Sequence, residues 1–256
     1  MDRPGRHTPL TPKPPIPVPR LRRSLMLIAL ARTAEQASRY CLSFTAASLR
    51  PELASVVAQV HLEQGDWRKT KAAVLERNAL QARSASTAKR LESELRQRLQ
   101  QLNPSQLELL AQGSSDERNA MAWLAVLKRI AIALDLTREV LARKLSSLDP
   151  VLRRSDMAGF YEACERAHPE VAALSPSSQQ KIRSTLLHML RDAGLLAGKA
   201  GKGGTLGTVQ RPLLSPKAHG LVEQEDPALL GGFLLSPAPT VQPAAKRVRR
   251  AQRITA

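Results

Sequence analysis

From residue 41 onward, apolar positions recur at steps of three and four nearly throughout, the spacing that gathers them on one face of an α-helix. Leu53, Val56, Val57 and Val60 make the first such stripe, with Pro51 in the first turn, where its missing N–H costs nothing. Gly65-Asp66 punctuates, and a second helix is predicted over 66–78. A third is predicted from about 85 to 102, with Ala88, Leu91, Leu95, Leu99 and Leu102 on one stripe. Asn103-Pro104-Ser105-Gln106 then supplies a cap, a Pro at the first helical position and a Gln three residues after the cap; Ser114 and Glu117 repeat the signature. Met121 to Leu127 is apolar all round, which predicts a helix enclosed by others. Ile130 to Leu134 and Leu136 to Leu148 continue the helical content.

Asp149-Pro150 breaks the pattern and marks a domain boundary. Beyond it the spacing predicts a helix over 156–167, a short apolar element at 171–174, and a long helix capped by Ser175 with Pro176 as its first residue. Gly194-Leu195-Leu196, the glycine-rich GKAGKGG at 198–204 and the alternating 206–211 then read as a two-strand hairpin. Three helices followed by a hairpin is the order of a winged helix-turn-helix, in which the third helix enters the major groove and the hairpin touches the backbone. The expected fold is therefore all-α, with two helical subdomains at 41–148 and 149–236.

Composition supports that class: Leu occurs 40 times and Ala 36, against 26 for Val, Ile, Phe, Trp and Tyr together. Seven aromatic residues are too few for a sheet that stacks bases on exposed rings. The net charge of +17 points to a polyanionic partner. Its distribution changes the meaning, because residues 1–40 and 241–256 hold +11 of it. Seven prolines between Pro4 and Pro19 and the run AAKRVRRAQR give both ends the composition of unfolded segments, a disordered extension at 1–40 and a basic tail at 237–256.

Arg20, Arg22 and Arg23 precede an apolar run, Leu25 to Ala31, in the outline of a signal peptide with a hint of twin-arginine export. The run is short and follows Pro-rich sequence, and two cysteines make no disulfide framework, so the expected location is the cytoplasm. A short helix over 25–38, or a start at Met26, explains the same residues. No stretch reaches the length of a membrane span.

Along the Pro176 helix, Ile182, Leu186, Met189, Leu190 and Ala193 point one way, and Lys181, Ser184, His188 and Arg191 the other, with Arg183 on the flank. These five polar residues are candidates for base or phosphate contact. Lys199 and Lys202 stand in the glycine-rich loop, available to phosphates at a wing tip; a solvated basic loop is the plainer reading. The loop is not a P-loop, since Lys202 precedes Gly and the flanking elements are reversed. Ser86, Lys89 and Arg90, with Ser93 and Gln97, face away from the leucine stripe of the third helix and form a second candidate phosphate surface. Asp192 lies on the same face as the first set and favours an ordinary solvated face there. Cys164 and His168 share a helical face, but nothing nearby completes a metal site, and His61 lacks an acidic partner at helical spacing. No catalysis, cofactor or metal is expected.

The stretch YCLSFTAASLRPELASVVAQVHLEQGDW from Tyr40 resembles the opening of the BrxA family of BREX phage-defence systems. The likeness continues through Ala82-Arg83 and SASTAKRL, LELLAQG at 107–113, HPEVAALSPSSQQKIRSTLLHMLRDAGLL at 168–196, LLSP at 213–216 and DPALLGGFL at 226–234. The resemblance implies a helical protein with a NusB-like body and a winged helix-turn-helix toward its C-terminus. It also implies double-stranded DNA binding without known catalysis, beside other BREX components that include a methyltransferase marking host DNA. The basic ends fall outside it. A helical adaptor that docks other BREX proteins, with only nonspecific nucleic-acid contact through its tails, is the alternative; NusB-like RNA binding is a third reading. Homo-oligomerisation stays open.

Overall fold

The computed structural model describes residues 39–236; the N-terminal extension with its arginines and the 25–38 segment, and the basic tail, lie outside the described residues. Helix α1, Pro51–Gln64, ends at Gly65, which takes the left-handed conformation (φ 66°) that a helix C-terminus favours. Helix α2, Trp67–Glu76, is capped by Asp66, whose carboxylate accepts from the amides of Arg68 and Lys69. Helix α3, Ala85–Leu99, starts from Ser84. Helices α4, Pro104–Gln112, and α5, Ser115–Arg129, both open with full capping boxes, Asn103 with Gln106 and Ser114 with Glu117, as their sequence signatures predict. Helix α6, Ala131–Asp135, runs through a π-helical turn at Leu136–Leu141 into α7, Ala142–Ser146.

Strand β1, Val151–Arg153, leads into α8, Arg154–Ala167, the short α9, Pro169–Ala172, and the long α10, Pro176–Asp192. Strands β2, Leu196–Ala197, and β3, Thr205–Val209, form the expected hairpin. The sheet has a third member that the hydrophobic pattern did not predict: β1 pairs antiparallel with the other edge of β3, placing Val151 opposite Thr208, in the order β1-β3-β2. Helix α11, Pro216–Glu225, and a 3-10 segment, Pro227–Phe233, close the described chain. Mostly helical with one small sheet, the fold matches the helical expectation in class.

Met121 to Leu127 are buried without a break, as their all-round apolarity predicts, because α5 is packed by α1, α3, α4, α6, α11 and the 3-10 segment. Trp123 donates from its indole to the carbonyl of Gly232 at 2.9 Å, so the largest core side chain also fastens the C-terminal segment. Buried apolar residues form one continuous cluster from Phe44 to Leu234, crossing Asp149-Pro150. Among the described residues no helix is long and apolar enough to cross a membrane.

Inside this core sits a charge. Arg98 is 2% exposed and pairs with Glu94 one turn earlier at 2.8 Å. Its remaining N–H groups donate to the carbonyls of Ser48 (2.7 Å), Ala47 (2.8 Å) and Phe44 (3.2 Å). The guanidinium thus replaces the missing amide partners of a non-helical segment and holds it against α3. A second, half-buried cluster fixes β1: Lys144 bridges Asp149 (3.2 Å) and Asp156 (3.0 Å), while Arg153 reaches Asp149 at 2.7 Å.

Removing one partner of a buried, hydrogen-bonded ion pair strands the other charge. Arg98→Met is therefore expected to destabilise the protein by about 3–5 kcal/mol in denaturant titration; a change within about 0.5 kcal/mol of wild type, the range of ordinary surface substitutions, rules the clamp out. Arg153 and Lys144 hold the Asp149 carboxyl at about 2, below its ordinary 3.8. A depressed folded-state value means stability that is present above the ordinary value and lost as pH falls toward 2. The difference in melting temperature between wild type and Asp149→Asn is accordingly expected to be constant above about pH 5 and to close as the pH drops toward the folded value. A difference that persists unchanged in acid contradicts the ion-pair origin.

Candidate nucleic-acid interface

Ser175 opens α10, its hydroxyl accepting from the Ser178 amide, and Ile182, Leu186, Met189 and Leu190 seat the helix in the core. This orientation leaves Lys181 and His188 exposed. Ser184 is half-buried and donates to the Lys181 carbonyl on its own helix. The two arginines of the set are engaged internally. Arg183 lies 4.5 Å over the ring of Tyr161 and 3.7 Å from Glu165, a stacked cation that joins α10 to α8. Arg191 donates to the carbonyl of Leu206 at 2.8 Å and so joins α10 to β3. Both position the helix, and their guanidinium groups are less available than the hydrophilic stripe alone suggests.

The loop between β2 and β3 carries Lys199, fully exposed, and Lys202, whose side chain lies outside what the structure describes. The loop is closed by the Gly201 amide donating to Thr205. Gly207 explains why the hairpin is so tight: at φ 153° it lies where a Cβ would come within 2.6 Å of the Ala197 carbonyl. Arg154, the first residue of α8, stands beside the loop, its side chain 3.9 Å from where a Cβ on Gly204 would sit. It is a cation that the helical periodicity gave no reason to single out.

On α3, Ser86, Lys89 and Arg90 are all exposed in the first turns, above the Ser84 cap. Ser93 and Gln97 are half-buried and bonded to each other, the amide donating to the hydroxyl. A groove of about 290 Å³ runs from Thr87 past Gln81 to Ser48 and Arg50. A larger one, about 780 Å³, continues from Ser48 and Arg50 past Glu52 to His188 and Asp192 on α10. The two grooves share Ser48, Arg50 and Leu53, so the α3 and α10 surfaces meet along one band. Arg50 stands at the junction, exposed, in the left-handed conformation at φ 50°, and its guanidinium has no ion-pair or hydrogen-bond partner among the described residues. A residue before proline is ordinarily extended, so nothing in the sequence signals this turn.

The cysteine–histidine pair has a structural use. Burial pushes the Cys164 thiol up to about 11, and His168 stacks on Tyr40 at 3.8 Å. Tyr40 in turn donates from its hydroxyl to Asp135 and from its amide to Glu170, which pins the chain entry to α6 and α9. His61 stacks on Trp67 at 3.6 Å, and desolvation lowers its pKa. No group of three or more His, Cys, Asp or Glu able to hold a metal occurs among the described residues.

The BrxA family model matches residues 38–226. A BREX protein BrxA of Escherichia coli O9:H4 (strain HS) is 30% identical over 139 residues, 54% of this chain, and the chain spans 65% of that relative's length. A BREX protein BrxA of Paramagnetospirillum magneticum (strain ATCC 700264 / AMB-1) is 25% identical over 161 residues, covering 62% of this chain and 79% of that one. A crystal structure of an uncharacterized protein from Magnetospirillum magneticum superposes with a TM-score of 0.66 at 19% identity, over 77% of this chain and 98% of that one, and shares the fold. With the family model matched from just before Tyr40 to the end of α11, this chain belongs to the BrxA family.

Proposed function

We propose that the protein is a non-catalytic, duplex-DNA-binding component of a BREX antiphage system. The observation that carries the DNA reading is the order of elements around the sheet. Strand β1, helices α8 and α10, and the β2–β3 hairpin follow one another, and β3 lies between β1 and β2. That order supports reading the region as a winged helix-turn-helix, with α10 as the groove-reading helix and the 198–204 loop as the wing. Lys181, His188 and Lys199 are the exposed groups offered by those two elements, Lys202 shares the loop, and Arg154 adds a charge beside it. Ser86, Lys89 and Arg90 are the second contact, with Arg50 between the two. The names of the curated relatives support the system to which the protein contributes.

The internal engagement of Arg183 and Arg191 favours a second reading, a helical adaptor whose tails alone attract nucleic acid. Salt dependence separates the two. Each phosphate contact contributes about 0.9 to the slope of log affinity against log salt on duplex DNA. Reversing Lys181, Lys199 and Lys202 to Glu is expected to lower that slope by about 2.7 and weaken duplex binding by more than tenfold at moderate salt. Replacing Lys246, Arg247, Arg249, Arg250 and Arg253 by Gln is expected to reduce affinity less. Binding that survives the first change and vanishes with the second supports the adaptor; structured RNA that outcompetes the duplex supports RNA binding.

A further inference from the structure

Residues 138–146 and the C-terminal 3-10 segment enclose a groove of about 500 Å³ whose ionised lining is all of one sign. Arg138, Arg143 and Arg211 line it with no carboxylate among its walls, and none of the three has an ion-pair partner among the described residues. Arg138 and Arg211 are oriented by the backbone: Arg138 donates to the Ala228 carbonyl, and Arg211 to that of Leu234 at 3.0 Å. Arg143 is exposed and makes no such bond; it also borders the neighbouring groove, where Glu139 lies. Between the cations the walls are mixed, with apolar surface from Leu145 and Leu235 beside Ser146 and Ser236.

One exposed leucine lies nearby: Leu148 is 91% exposed and follows the lining residue Ser146 by two positions, within about 8 Å along the chain. Arg211 also borders a second groove, with Leu213 and Asp116. Leu148 also adopts φ 57°, in the left-handed region that disfavours a side chain with a Cβ and usually selects Gly after a helix. A residue at once strained and exposed gains nothing for folding, and such outliers point toward use in binding.

We infer that this groove is a docking site for an extended segment of a partner protein that alternates acidic and apolar side chains. Charge decides the sign of the occupant. The chain's own ends are excluded, because residues 1–40 carry +6 and residues 241–256 carry +5, and three arginines repel them. Apolarity decides its class. A nucleic-acid backbone would satisfy the arginines and leave the half-buried Leu145 and Leu235 uncovered, whereas a peptide with Leu or Phe between carboxylates fills both needs. The site is built on elements other than α10 and the wing, so it stands independently of the DNA reading.

The test uses the full chain and a short fluorescein-labelled peptide alternating Asp and Glu with Leu and Phe, beside the same peptide with Lys in place of the acids. Anisotropy is expected to report saturable binding of the acidic peptide alone. Arg143→Glu is expected to weaken it by about tenfold or more. Leu148→Gly removes the exposed side chain and relieves the backbone, so it is expected to keep or raise the melting temperature while weakening the peptide. The Lys181, Lys199, Lys202 reversal is expected to leave peptide affinity unchanged. Equal binding of both peptides, no binding of either, an unaffected Arg143→Glu protein, or displacement of the peptide by duplex DNA each overturns the proposal.

Discussion

The buried pairing of Arg98 with Glu94 determines where the most exposed features of this protein stand. Residues 44–48 have no regular structure, and the carbonyls of Phe44, Ala47 and Ser48 turn toward the buried Arg98. A single guanidinium supplies donors to all three, a task a lysine point charge cannot perform with the same geometry. Burial pulls the arginine's pKa down and Glu94 opposes that, so the carboxylate is as necessary as the cation. Because the clamp ends at Ser48, the next residues are aimed by it. Arg50 is presented in the left-handed conformation, Pro51 starts α1, and the two grooves that flank Arg50 inherit their common wall.

The same logic governs the basic residues of the body. Its modest positive charge is not a uniform coat, since many cations have internal work. Arg98 holds a loop, Lys144 and Arg153 hold β1, Arg183 stacks on Tyr161, and Arg191 ties α10 to β3. Exposed cations without an ion pair lie in separate places, among them Lys181, Lys199 and Arg154 around the wing, Lys89 and Arg90 on α3, and Arg143 in the C-terminal groove. Under the proposed function, recognition depends on position more than on net charge, and the long-range attraction of the chain's ends is a distinct contribution.

Much of this was legible in the sequence, and the exceptions have physical causes. Caps at Asn103 and Ser114, the enclosed run from Met121 to Leu127 and the stripe on α10 are local signals, and each is realised as read. Strand β1 was not legible, because three residues carry too little alternation to register and its pairing partner lies more than fifty residues away. The π turn at 136–141 keeps a helical pattern and so hides within it. Periodicity placed Arg183 and Arg191 on the polar side of α10 and had no means of finding Tyr161 or the Leu206 carbonyl, since those contacts arise only after packing. Arg50 was overlooked for the opposite reason: its importance comes from backbone conformation and neighbouring grooves, neither of which residue spacing encodes.

The C-terminal groove and the α10 face differ in what they expose, and that difference carries the last step. Around α10 and the wing the exposed groups include Lys181, His188, Asp192, Lys199 and glycine backbone, with Leu186 and Leu190 turned inward. Phosphates need donors and close approach, and that surface offers both. The groove pairs its arginines with the half-buried Leu145 and Leu235, and apolar surface gains free energy only against another apolar surface. On the two proposals, the basic sites of this body therefore take different anionic partners by what lies between the charges. Lysines with Arg154 serve the wing and guanidinium groups the groove, and the leucines beside the charges, rather than the number of charges, distinguish them.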